Sequence, residues 1–154
     1  MAEMLKDLDY LHPTLKKKAE MLIEKCIDHQ MPIVITETLR AESRQNDLYA
    51  QGRSGPRKHW KRVTNARYPQ SLHSWGLAFD FAVLVDGKVN WQRLDLYDQV
   101  GHLGESLGLE WGGRWKRLAD RPHFQLPGFE WLSLVRQYSS PDFYIRAYGG
   151  KPIR

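Results

Sequence analysis

Ser71-Leu72-His73-Ser74-Trp75-Gly76-Leu77-Ala78-Phe79-Asp80-Phe81-Ala82-Val83 is the stretch on which the fold turns. Residues 79–85 form an apolar run followed by a turn signal, the pattern of a buried strand. Alternation sets Phe79, Phe81 and Val83 on one face and Ala78, Asp80 and Ala82 on the other. A carboxylate between two alanines in a buried strand is costly unless it is paired or bound to a metal. The small neighbours leave room beside it. A structural salt bridge would satisfy Asp80 as an ion would. His73 stands seven residues earlier, across a turn containing Gly76. That spacing lets a loop histidine fold back beside a strand aspartate.

A second cluster, Asp120-Arg121-Pro122-His123-Phe124, follows downstream, with His123 opening a predicted strand over 122–126. Two histidines and one carboxylate make a three-point zinc site with a fourth position left for water, which is a catalytic arrangement. Bound zinc activates water near neutral pH. A second carboxylate close by then takes the proton as general base. Asp120, three residues before His123, is the candidate, and Glu110 is the weaker rival.

Around these clusters, strands and helices mix without a regular βαβ rhythm. Pro13-Thr14 announces a helix to about Asp28 or Gln30, with Thr14 as N-cap. Its stripe Leu15, Ala19, Leu22, Ile23, Cys26, Ile27 is expected to face the core. Residues 32–39 read as a strand, 42–51 as a helix that Gly52 can end, and 52–70 as a long loop. Asp86-Gly87 marks a hairpin turn before a return at 88–91. Leu96, Val100, Leu103 and Leu107 are spaced for an amphipathic helix ending near Gly108. Residues 109–111 suggest a short strand and 129–138 a last helix. The Pro- and Gly-punctuated tail from Ser139 reads as irregular. The expectation is a single domain over 1–154, of class α+β, with a small, mainly antiparallel sheet flanked by helices.

With 154 residues, 42% of them hydrophobic and 27% charged, the chain suffices for one domain with its own core. No apolar run of about 18 residues is present, so no membrane-spanning helix is expected. The N-terminal residues show neither an apolar h-region nor a small-residue cleavage site. The chain is therefore expected to start in the cytoplasm without a signal peptide. Cys26 is the one cysteine, which excludes an intramolecular disulfide; its helical spacing makes it a buried small hydrophobe. The net charge of +5 favours polyanions. No nucleic-acid-binding module is visible, so nucleic acid is not an expected partner. The basic run from Arg53 to Arg62 is either a solvated loop or a contact for an anionic wall component. His12, His59 and His102 lack partners at ligand spacing and read as surface or packing residues.

The pattern Ser71-x-His73-x-x-Gly76-x-Ala78-x-Asp80, followed by Trp111-Gly-Gly-x-Trp115 and Asp120-x-Pro-His123-Phe, resembles the LAS-type (M15) zinc metallopeptidases. These include the D-alanyl-D-alanine carboxypeptidases and dipeptidases of vancomycin resistance and the L-alanyl-D-glutamate peptidases of bacteriophage endolysins. Leu39-Arg40, Gln45, Leu48-Tyr49 and Gly52-Arg53 resemble the family's upstream block. The likeness covers about 33–126 and leaves the C-terminal helix and tail, 129–154, without a motif. It implies a Hedgehog/DD-peptidase-like fold in which His73, Asp80 and His123 bind one catalytic Zn2+ ion. Asp120 would be the general base, where many members carry glutamate.

Arg40 would polarise the scissile carbonyl; the lesser alternative is a surface salt bridge at a strand end. Ser71, Gln45 and Trp115 are the candidate substrate contacts. Ser71 alone is also a turn-forming serine. Trp75, Trp111 and Trp115 either wall a groove or pack in the core. The implied activity is that of an endolysin-like peptidoglycan endopeptidase cutting the L-Ala–D-Glu bond of the stem peptide. The alternatives are a D-alanyl-D-alanine carboxypeptidase with the same zinc site and a non-catalytic, zinc-containing wall-binding module. Expected partners are the stem peptide and anionic envelope polymers. The protein is expected to act as a monomer on the wall after release from the cytoplasm, the host's if it is phage-encoded.

Overall fold

Leu15, Ala19, Leu22 and Cys26 line one side of helix α1, Pro13–Asp28, and all four are buried. The computed structural model describes residues 2–153, so Met1 and Arg154 of the expected domain lie outside the described residues. The N-cap of α1 is His12 rather than Thr14. Pro13 takes the first helical position, where no N–H is needed, and His12 Nδ1 accepts from Thr14 N at 3.1 Å. Ile27, expected in the core stripe, is 60% exposed. It follows Cys26 by one residue, about 100° around the helix, and that step carries it off the buried face.

Burial pushes the Cys26 thiol up to about 11. At pH 8 roughly one thiol in a thousand would then be ionised. Cys26 is expected to resist iodoacetamide in the native protein and to react fully in denaturant. Mass spectrometry of the two samples checks this, and rapid native alkylation would contradict it.

Strands β1 (Ile33–Glu37), β2 (Ala78–Val85), β3 (Lys88–Asn90), β4 (Glu110–Trp111) and β5 (His123–Gln125) form one sheet. Every pairing in it is antiparallel. β2 is its spine. β1 lies on one edge of β2; β5 pairs along residues 78–80 and β3 along residues 83–85 on the other. Asp86 and Gly87 both take positive φ, as a two-residue type I′ hairpin turn requires. Phe79, Phe81 and Val83 are buried together with Phe124, as alternation along β2 predicts. Helix α1 packs on β1, and α3 (Leu94–Ser106) packs on α1, β2 and β4. Helix α2 (Glu42–Ala50) follows β1, and α4 (Trp131–Tyr138) follows β5.

From Ser139 the chain is not irregular, as its composition suggests, but forms helix α5, Pro141–Tyr148. Pro141 occupies the first turn, and Gly149 ends the helix in the left-handed conformation. Here proline and glycine bound a helix instead of breaking one. Tyr144 and Ile145 are buried, and the Tyr144 ring lies 5.9 Å from that of Trp75. Helix α5 thereby supports the short 3-10 turn Leu72–Trp75, which carries His73. Gly76 closes that turn at φ 69; a Cβ there would sit 2.2 Å from Tyr148 Oη, so only glycine fits.

Candidate metal centre

Antiparallel register sets Asp80 of β2 directly opposite His123 of β5. On the other edge a β-bulge between Ile35 and Glu37 sets Glu37 opposite the same Asp80. A bulge re-aims the residue that follows it, and here it completes a row of Glu37, Asp80 and His123 across three strands. His73 arrives from the 3-10 turn, whose N-cap Ser71 Oγ accepts from His73 N at 3.3 Å.

Three donor atoms converge. His73 Nε2 lies 3.2 Å from Asp80 Oδ1 and 3.2 Å from His123 Nδ1, and the last two are 3.3 Å apart. These residues are the one group of metal-ligating side chains found among the described residues. Ligands at about 2.0 Å around a tetrahedral ion stand about 3.3 Å from one another, so the triangle has the size that zinc needs. The outer nitrogen of each ring is also engaged: His73 Nδ1 lies 2.9 Å from Thr38 O, and His123 Nε2 lies 2.9 Å from Gln125 Oε1. An acceptor at the outer nitrogen calls for N–H there and leaves the inner lone pair for a metal. Burial raises the Asp80 carboxyl, but His73 and His123 outweigh it and hold it well below the usual carboxylate range. Asp80 is thus a charged oxygen donor. Two imidazoles and one carboxylate, facing a cleft, fit a zinc ion with an accessible position.

Asp120 lines the same cleft, of about 800 Å³. Its loop is held by Asp120 N donating to Gly112 O at 2.9 Å. A Cβ on Gly112 would come within 2.5 Å of Asp120 O, so this close approach needs glycine. Burial and the charge of Asp80 push the Asp120 carboxyl up, against the pull of His123, His73 and Arg40.

Arg40 forms a strand-end ion pair, buried rather than at the surface, and also faces the centre. Its Nε donates to Glu37 Oε1 at 2.8 Å, its Nη2 bonds the same oxygen, and its Nη1 donates to Gln45 Oε1 at 3.0 Å. Nη2 also lies 3.7 Å from Asp80 Oδ2. Arg44 Nε donates to the other Glu37 oxygen at 3.0 Å. Glu37, which is 2% exposed, is a member of the site that no sequence motif marks. Its signal was a lone acid three residues before Arg40 and seven before Arg44. Gln45, an expected substrate contact, is fully buried, with its amide engaged by Arg40 and by Ala66 O at 2.7 Å. Ser71 and Trp115 line the cleft. Trp75 and Trp111 belong to the core, whereas Trp91 and Trp131 join Trp115 at the cleft.

A family model of M15 peptidases, described as D-alanyl-D-alanine carboxypeptidase, matches residues 64–126, the segment holding His73, Asp80, Asp120 and His123. The peptidoglycan L-alanyl-D-glutamate endopeptidase CwlK of Bacillus subtilis (strain 168) is 38% identical over 127 residues, covering 75% of this chain and 73% of CwlK. The L-alanyl-D-glutamate peptidase of Listeria phage A118 is 28% identical over 123 residues, covering 79% of this chain and 40% of the phage protein. Among solved structures, the Serratia marcescens L-Ala D-Glu endopeptidase ChiX superposes with a TM-score of 0.62 at 28% identity, covering 86% of this chain and 87% of ChiX. Identity at the level of CwlK, sustained over most of both chains, reflects common descent, and the chain belongs to the M15 family of zinc-dependent peptidases.

Proposed function

We propose that this chain is a zinc endopeptidase that hydrolyses the L-alanyl–D-glutamate bond of the peptidoglycan stem peptide. The observation that carries the reading is the His73–Asp80–His123 triangle, set in a cleft that also presents Asp120 and Arg40. The choice of bond rests on CwlK, the phage peptidase and ChiX, all of which are named for it.

In this reading His73, Asp80 and His123 hold the ion. Zinc held there supplies Lewis acidity and activates water near neutral pH. Asp120 accepts a proton at its carboxylate from the attacking water and returns it to the leaving amine. Arg40, fixed in place by Glu37 and Gln45, presents a cation to the carbonyl oxygen as negative charge grows there. Because the guanidinium is already anchored, it stabilises the transition state with little reorganisation. Ser71 and Trp115 contact the peptide, and Gln45 acts from behind by holding Arg40.

Next to the catalytic cleft, and sharing Trp115, Trp131 and Asp120 with it, runs a groove lined by Lys61, Arg62 and Arg117. Those cations suit the acidic stem peptide and anionic envelope polymers. No helix among the described residues is long and apolar enough to cross a membrane. We place the action of the protein at the wall, as a monomer, after release from the cytoplasm.

Purified sacculi test this reading. Chelation is expected to abolish their lysis and zinc add-back to restore it, with mass analysis showing new amino-terminal D-glutamate. Release of single D-alanine residues instead would reject the bond, and failure of zinc to restore lysis would reject the metal.

A further inference from the structure

Behind His123 runs a second line of polar side chains. Glu110 of β4 and Gln125 of β5 are direct cross-strand partners. Gln125 Nε2 donates to Glu110 Oε2 at 3.1 Å, while Gln125 Oε1 lies 2.9 Å from His123 Nε2. The other oxygen, Glu110 Oε1, accepts from Trp115 Nε1 at 3.4 Å, and the Trp115 ring lies 4.9 Å from the His123 ring. The Gln125 amide at the imidazole edge and the Trp115 ring beside it are therefore fastened to one exposed carboxylate.

A side-chain amide has two unlike ends, and an ionised carboxylate can only accept. Glu110 therefore takes the NH2 end of Gln125. That turns the carbonyl oxygen toward His123 and requires Nε2 to carry the hydrogen. The Nδ1 lone pair then faces Asp80 and His73. A reversed amide would offer a donor to Nε2 and favour hydrogen on Nδ1, the nitrogen that must be bare to bind a metal.

We infer that Glu110 is a positioning residue of the metal centre: by setting the direction of the Gln125 amide, it fixes His123 in the form whose Nδ1 can bind the ion. The inference rests on the reading of His123 as a zinc ligand. It also gives Glu110 a part distinct from that of a general base.

Zinc dissociation constants, measured by competition with a chromogenic chelator, test it without reference to activity. The visible spectrum of the cobalt-substituted protein reports the donor set. Q125L is expected to bind zinc about 10- to 100-fold more weakly, the usual cost of losing an outer partner of a ligand histidine. E110K, which offers only donors and so selects the reversed amide, is expected to lose a similar factor with an altered cobalt spectrum. E110Q, able to take either direction, should fall between E110K and the wild type.

Because Glu110 acts through Gln125, the double variant E110K/Q125L should bind no more weakly than Q125L alone. A merely electrostatic effect of the added lysine would persist in that background and overturn the inference. So would E110K and Q125L affinities within twofold of the wild type. Should Q125L fail to fold, the exposed position 110 decides through E110K and E110Q, with circular dichroism confirming their fold. H123A separates the two levels. If it binds zinc as tightly as the wild type, the ligand reading fails; if it loses zinc while E110K and Q125L keep theirs, only the positioning role fails.

Discussion

Replacing Asp120 by alanine is expected to lower kcat for stem-peptide hydrolysis by about 100-fold to 10,000-fold, the range for loss of a positioned general base. The bound zinc should remain. Asp120 lies outside the donor triangle, whose three atoms come from His73, Asp80 and His123. Its carboxyl lines the same cleft as the triangle, within reach of water there, without supplying a donor atom to it. Metal analysis of D120A by mass spectrometry should therefore give the wild-type content beside the collapsed rate. D120E, which restores the carboxylate on a longer arm, is expected to recover part of the loss. Wild-type lysis by D120A would remove Asp120 from the mechanism and favour a non-catalytic wall-binding role.

The E37A variant is expected to lose stability and activity together. Glu37 is almost wholly buried and accepts from both Arg40 and Arg44. Removing one member of a buried ion cluster typically costs about 3–5 kcal/mol, because the opposite charge remains desolvated. The midpoint of urea unfolding should fall accordingly, with little change in slope. Activity of the folded fraction should drop about 100-fold, since displacement of a catalytic group by about 1 Å costs that much. Arg40 would lose two of its anchoring hydrogen bonds and keep Gln45. E37Q retains the volume and an acceptor and should lie between E37A and the wild type. An unmoved unfolding midpoint with intact kcat would show that the cluster neither supports the strand end nor holds Arg40.

The two variants probe different depths of the same site, and they differ in how visible they were. Asp120 stands three residues from His123 in a recognisable motif, so its candidacy needed only the chain. Glu37 reads locally as the polar end of a strand. Its role depends on the bulge after Ile35 that turns it toward Asp80, and a bulge is set by the partner strand. Gln45 shows the same gap from the other side. Its place in the motif suggested a substrate contact, yet folding buries it behind Arg40, where its amide holds the guanidinium.

The sequence by itself determined what near neighbours decide. Alternation along β2 put Asp80 on the face opposite Phe79 and Phe81; Asp86-Gly87 formed the hairpin turn; helical spacing buried Cys26. Such features follow from backbone periodicity and turn sterics within a few residues. Tertiary structure alone decided how far apart the ligands stand, because that depends on the β2–β5 register. It also decided which tryptophans reach the cleft, and that the tail folds as α5 under Trp75. Those outcomes depend on contacts between segments distant in the chain, and their energies exist only once the segments are packed together.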